Sequence, residues 1–201
     1  MDRRRGMFVA VDGPKHVGKT TVLHLLVPLL TAGGLSVLRT KEPTAKFDLS
    51  QEESRSGTAL AWLLVEDRAR HLREIICPGL NEHDVVITDR FIASSLVFQV
   101  LDGVPLAEVW AMNRDFLLPD LNIFLTTEPA SLRRRQAVRG ALTRFDRDQW
   151  TEQEISQYTT AKEVMAQHGV STIELTNDDG EQPIETAIAM ANPILDRARR
   201  R

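Results

Sequence analysis

Five short runs of apolar, β-branched residues punctuate the chain: Phe8 to Val11 (FVAV), Leu35 to Thr40 (LSVLRT), Val85 to Thr88 (VVIT), Leu121 to Thr126 (LNIFLT) and Ser171 to Leu175 (STIEL). Their apolarity is continuous rather than alternating, which predicts strands buried on both faces. The intervals between them are long enough to carry helices, so the pattern predicts a parallel sheet built from βαβ crossovers. Helices are expected over Lys19 to Ala32, Thr58 to Ile76, Ala93 to Leu101, Leu106 to Leu117, Pro129 to Arg139, Glu152 to His168 and Ile184 to Arg199. Gly33-Gly34 should end the first helix and Pro78-Gly79 the second, while Pro105 and Pro129 fall where first-turn prolines are tolerated. No internal repeat, low-complexity segment or linker interrupts this order. Residues 1–201 read as a single α/β domain.

Composition narrows the function classes more than it alters the fold. With 42% hydrophobic and 26% charged residues, the 201-residue chain is ordinary for a globular protein with one sizeable core. A net charge of −3 gives no electrostatic footprint for nucleic acid or a membrane surface, although Arg3 to Arg5 and the stretch Arg197 to Arg201 make both ends basic. The single cysteine, Cys77, excludes an intramolecular disulfide framework. There is no apolar leader of secretory type and no apolar run of membrane-spanning length, so a cytoplasmic protein is expected. No two of the five histidines have metal-ligand spacing, which argues against a structural zinc site.

The chemistry concentrates between the first strand and the first helix, where Gly13 to Thr20 reads GPKHVGKT. G-x-x-x-x-G-K-[ST] makes chemical sense as a loop whose glycines let backbone N–H groups turn onto phosphate oxygens. The following helix points its positive end at the same anion. Gly13, Lys15, His16, Val17, Gly18, Lys19, Thr20 and Thr21 are therefore the candidate donor site for a nucleoside triphosphate. Lys19 is expected to reach the β- and γ-phosphates, and the Thr20 hydroxyl to ligate Mg²⁺. A P-loop does not by itself identify an acceptor.

Two further features favour a kinase for a small acceptor. The stretch Ser131 to Asp148 (SLRRRQAVRGALTRFDRD) carries six arginines beyond the fourth strand, where a mobile lid over about 133–148 is expected to close on the transferring phosphoryl group. Asp89-Arg90-Phe91 directly follows the third strand, at the carboxyl edge where open α/β sheets bind ligands. Asp89 is suited to hold the water shell of Mg²⁺, and Arg90 to bridge donor and acceptor phosphates.

The segments Val11 to Thr21, Thr40 to Lys46, Leu63 to Leu72, Val85 to Gln99 and Pro119 to Pro129 resemble, in order and at family spacing, the motifs of the bacterial thymidylate kinases. The resemblance runs from about Met7 to Pro193. It implies transfer of the ATP γ-phosphoryl group to a pyrimidine deoxynucleoside monophosphate, on a three-layer α/β/α P-loop fold with sheet order 2-3-1-4-5, in a homodimer. Lys41 or Glu42, with Pro43, would border the acceptor phosphate, and Arg68 would contact the base edge. Ser94, Ser95 and Gln99 would line the base pocket, with Phe98 against the sugar. Arg135, Arg139 and Arg144 resemble lid arginines that approach the phosphates, and Tyr158 falls near a recurrent aromatic position. The loop from Asn177 to Gly180 is a candidate for adenine contacts.

The chain departs from the family pattern at three places. An aromatic residue normally stacks on the base four positions before the base-reading arginine, where this chain has Leu64. Trp62 cannot replace it simply, because two residues along a helix turn a side chain by about 200°. An acidic residue normally accepts from the sugar hydroxyl at the position of Lys15, and an ammonium accepts no hydrogen bond. The segment EPTAK lacks the glycine pair that usually follows EP. A modified pyrimidine nucleotide is therefore an acceptor candidate beside thymidylate. Two alternatives stay open: a nucleoside kinase using Glu42 or Glu66 as base, and a catalytically silent nucleotide-binding homologue.

Overall fold

The computed structural model describes residues 6–139, 151–179 and 182–201. Five parallel strands lie in the order β2-β3-β1-β4-β5: β1 (Met7–Asp12), β2 (Val37–Lys41), β3 (Val85–Asp89), β4 (Leu121–Thr126) and β5 (Ser171–Thr176). This is the order the resemblance implied. The central strands are buried throughout their apolar length, whereas the edge strands β2 and β5 are only half buried. Continuous apolarity thus overstated the burial of the edges, which have a neighbour on one side only.

Alternation along β1 divides the core into two layers. Phe8 and Ala10 pack with Val86, Phe91, Leu96, Phe124 and Tyr158 on one face. Met7, Val9 and Val11 pack with Leu23, Leu26, Leu30, Met190 and Ile194 on the other. On the second face, α1 (Lys19–Ala32) packs against α9 (Pro183–Ala198). On the first lie α3 (Gly57–His71), α5 (Ile92–Leu101), α6 (Leu106–Asn113) and α8 (Thr151–Gln167), preceded in the chain by the short α2 (Ser50–Ser54). Among the described residues, no helix is long and apolar enough to cross a membrane.

Two helix ends differ from expectation. Pro78-Gly79 does not stop the second long helix. The chain runs from α3 through a π turn (Leu72–Ile76) into α4 (Cys77–Glu82). The missing N–H of Pro78 falls beside the wider turn, where the regular ladder is already interrupted. Gly79 instead packs closely on β2: a Cβ there would stand 2.4 Å from Leu38 Cδ2. Helix α6 stops at Asn113 rather than Leu117, ahead of Pro119, which disfavours helical backbone at the residue before it. Helix α7 (Pro129–Arg139) follows β4 as expected. The rest of the expected lid, including Arg144, and the side chain of Arg139 lie outside the described residues, as does Gly180.

Candidate active site

The loop between β1 and α1 is shaped by its neighbours at three points. Gly13 has φ 147°, and a Cβ there would lie 2.3 Å from the carbonyl oxygen of Leu125. Gly18 has φ 97°, and its Cβ would lie 2.5 Å from Asn177 Nδ2. His16 adopts φ 64°, a left-handed conformation unfavourable for a non-glycine residue. The loop is held there from outside: Arg135 Nη1 donates to the carbonyls of Val17 (3.1 Å) and His16 (3.5 Å), and Asn177 Nδ2 donates to Val17 O at 2.6 Å. Arg135 is in turn tied to Asn177 O and Asp179. Asn177 is buried, with its side chain bonded to Val17 O and Thr186 Oγ1, so it buttresses the loop rather than offering a base contact.

Lys19 is buried and donates to the carbonyls of Gly13 (2.7 Å) and Pro14 (2.8 Å). Burial, and then the Arg90 guanidinium, lower its ammonium to about 7. Thr20 and Thr21 open α1 with exposed side chains.

Arg90 also has a left-handed backbone, φ 72°, fixed by its N–H to Val11 O and by Thr88 Oγ1 donating to its carbonyl. That turn carries the guanidinium back over the sheet edge. Nη1 reaches Gly13 O (3.3 Å), Ser94 Oγ (3.1 Å) and Tyr158 Oη (2.8 Å). Burial opposes the charge on Arg90, but Tyr158, Asp89, Glu154 and Asp12 outweigh it and raise its pKa. Burial raises the Tyr158 hydroxyl above the ordinary phenol range, so it stays protonated. Ser94 Oγ donates to the Asp12 carboxylate at 2.6 Å, which makes Tyr158 the donor in its 3.0 Å bond to Ser94.

Sequence reading passed over Asp12, which holds this edge together. It is fully buried and accepts from the N–H groups of Phe91 (3.2 Å) and Ser94 (3.1 Å) and from Asn122 Nδ2 (3.0 Å). The acidic end of an otherwise apolar strand, VAVD, was the available signal. Glu154, on α8, was also missed; it is buried and accepts from the Lys15 N–H at 2.8 Å.

Beside Arg90 opens a cavity of about 230 Å³. The sequence-predicted residues Glu42, Pro43, Leu64, Arg68, Arg90, Ser94, Ser95, Phe98 and Gln99 all line it. Lys15, assigned from sequence to the donor loop, also lines it. Lys41 is exposed and does not line the cavity.

At the far end, Arg68 stacks over Phe91 with Cζ 4.9 Å from the ring centroid. Its Nε and Nη2 donate to Glu42 Oε2 (2.9 and 2.6 Å), Nη2 also to Ser95 Oγ (3.0 Å), and Nη1 to Asn113 Oδ1. Of five N–H groups, these bonds leave one on Nη1. Gln99 Oε1 is buried and has no partner among the described residues.

The acceptor-side loop is fixed without the glycine pair. After the cis Glu42–Pro43 peptide, Thr44 donates through both N–H and hydroxyl to Asp67, at 2.8 and 2.7 Å. Glu42 is not a free base: it is buried between Arg68 and His71. Glu66 is exposed and outside the cavity lining. Both base assignments for a nucleoside kinase therefore fail.

A family model for thymidylate kinase matches residues 11–188. The chain belongs to the thymidylate kinase family. A probable thymidylate kinase of Pyrococcus horikoshii is 36% identical over 155 residues, covering 71% of this chain and 76% of the relative. A thymidylate kinase of Leifsonia xyli subsp. xyli is 33% identical over 156 residues, covering 72% and 73%. The crystal structure of thymidylate kinase from Ehrlichia chaffeensis aligns with a TM-score of 0.67 over 94% of this chain and 98% of that one, at 19% identity, a likeness of fold. Against the thymidylate kinase pattern, Leu64 and Lys15 are departures that both fall on the cavity wall. Trp62, 52% exposed, does not line it.

Proposed function

We propose that the protein transfers the γ-phosphoryl group of ATP to the 5′-phosphate of a pyrimidine deoxynucleoside monophosphate, thymidylate or a modified relative, bound in the Arg90–Arg68 cavity. The reading is carried by Arg90, whose guanidinium touches the P-loop at Gly13, the cavity wall at Ser94 and the buried Tyr158 hydroxyl behind it. A positive charge fixed between two phosphate sites is what in-line transfer requires. The loop amides and Lys19 hold the donor phosphates, and Arg135 keeps the loop in shape. Arg139 and Arg144 are assigned to lid closure over the transferring group.

Thr20 and Asp89 are the residues that would hold Mg²⁺. No cluster of three His, Cys, Asp or Glu side chains exists among the described residues. That suits a cation that keeps most of its waters and shares phosphate oxygens. Bound there, it supplies charge neutralisation. No general base is needed, since a phosphate acceptor is largely ionised at neutral pH. At the base end, the remaining Arg68 N–H and Gln99 Oε1, which has no partner among the described residues, offer one donor and one acceptor. They suit an imide edge presenting a carbonyl beside an N–H. A homodimer and a cytoplasmic setting belong to the same proposal.

Coupled ADP release with a panel of nucleosides and nucleoside monophosphates tests the reading. Monophosphate-dependent release is expected. Release with nucleosides alone would overturn the proposal, and tight ATP binding without release would identify a silent homologue.

Lys19 gives a pH prediction. Its free-state pKa is lowered to about 7, and a bound polyphosphate raises it. The gain in ATP affinity is full below about pH 7 and is lost as pH rises toward the bound-state value, by at most tenfold per unit. Calorimetry at pH 8 in buffers of different ionisation enthalpy should register net proton uptake. Its absence would mean that Lys19 does not meet the phosphates.

A further inference from the structure

Arg90 is anchored by one end of its guanidinium. Its side-chain hydrogen bonds all run from Nη1, to Gly13 O, Ser94 Oγ and Tyr158 Oη, and Nε and Nη2 have no partner among the described residues. Anchored in this way, the group keeps the N–H groups of Nε and Nη2 for phosphate oxygens. Two of the three anchors are hydroxyls. A hydroxyl donates as readily as it accepts, and one that turned its proton toward the guanidinium would repel it. Whatever fixes the direction of those two bonds therefore aims Arg90.

The direction is set by Asp12, the last residue of β1, which is fully buried and does not line the cavity. Ser94 Oγ donates to Asp12 Oδ1 at 2.6 Å, so its lone pairs are left for Arg90 and Tyr158. Tyr158 Oη, 3.0 Å from Ser94 Oγ, gives its proton to that oxygen and turns its own lone pairs to Arg90 Nη1 at 2.8 Å. Every proton of the chain Tyr158–Ser94–Asp12 thus points away from the guanidinium, because the chain ends on a group that only accepts. The same Oδ1 accepts from the N–H groups of Phe91 and Ser94, which open α5. The residue at the helix cap, Phe91, makes no side-chain capping bond, so a strand carboxylate takes over a role normally filled by the cap residue itself. One side chain fixes both the backbone that carries Ser94 and the orientation of its hydroxyl.

We propose that Asp12 is a positioning residue for phosphoryl transfer, acting through the Ser94 and Tyr158 hydroxyls to aim Arg90. The inference rests on the phosphate-bridging role given to Arg90 above. Asp12→Asn tests it with a side chain of the same shape. Asn122 Oδ1 is buried and without a partner, so a turned Asn122 amide can accept from the new Nδ2 while the variant's Oδ1 keeps the α5 N–H groups. With ATP, Mg²⁺ and thymidylate, kcat is expected to fall about tenfold, the scale of one weakened bond to a charged group, while KM for thymidylate moves by less than about threefold. Ser94→Ala cuts the chain and should lower kcat by a similar factor. In the Ser94→Ala background, Asp12→Asn should cost less than about twofold in kcat, yet lower the melting temperature by as much as it does in wild type. A merely structural role predicts equal kcat losses in both backgrounds, and that result, or unchanged kcat in either single variant, would overturn the inference. If Asp12→Asn does not fold, Ser94→Ala and Tyr158→Phe decide the matter. Each should lower kcat and the pair by little more than the larger single loss, whereas independent losses would overturn the inference. A wild type without monophosphate-dependent ADP release would instead remove the acceptor reading.

Discussion

Lys19→Ala is expected to lower kcat by about 10³-fold or more while leaving the melting temperature within a few degrees of wild type. The kinetic loss follows from removing a preorganised positive charge from the transferring group, for which about 10²–10³ per donor is the usual scale and a full cation exceeds it. The small thermal effect follows from two opposing changes. The substitution deletes a buried ammonium held at a pKa of about 7, which relieves a desolvation cost. It also removes the donor to the Gly13 and Pro14 carbonyls. Gly13 O keeps its contact with Arg90 Nη1, so only part of that satisfaction is lost. Coupled ADP release and a thermal melt on one preparation check both halves. Near-normal turnover would remove the donor-site assignment, and a collapse of the fold would move Lys19 from chemistry to structure.

The contrast between Lys19 and Asp12 explains what could be read from the sequence. Lys19 belongs to a contiguous octet with fixed chemistry, and the apolar runs around it fixed the strand before and the helix after. The same holds for Asp89 and Arg90, which follow VVIT at a strand edge. Asp12, Asn113, His71 and Glu154 each bond partners 29 to 139 positions away in sequence, such as His71 with Glu42 and Glu154 with Lys15. No local period reports such pairings. The left-handed conformations of His16 and Arg90 were equally illegible, since both are imposed by bonds from Arg135, Asn177, Val11 and Thr88. Glu42 was named from resemblance as bordering the acceptor phosphate and, separately, as a candidate base. Only the fold, which buries it between Arg68 and His71, shows that its carboxylate is committed to those partners.

Glu42→Ala is therefore expected to be the most destabilising single change at the site. Glu42 Oε2 accepts two bonds from Arg68, and Oε1 meets His71 Nδ1 at 3.0 Å. A carboxylate accepts only, so Nδ1 carries a proton, and Nε2 meets Thr40 Oγ1 at 2.7 Å. This chain ties β2 to α3. The Arg68 side chain is 4% exposed and that of Glu42 7%, so the variant leaves a guanidinium in the interior without its anion. Breaking such a pair from one side costs about 3–5 kcal/mol. At about 2–4 °C per kcal/mol for a chain of this size, melting should fall by roughly 6–20 °C. Glu66→Ala, on the exposed side of the same helix, should change stability by no more than about 0.5 kcal/mol. The double variant Glu42→Ala with Arg68→Met should recover part of the lost stability, because the orphaned charge is gone, yet remain deficient in acceptor binding. A single variant melting within a degree of wild type would show that Arg68 finds another anion, and its guanidinium would then be free to move rather than fixed in the cavity floor.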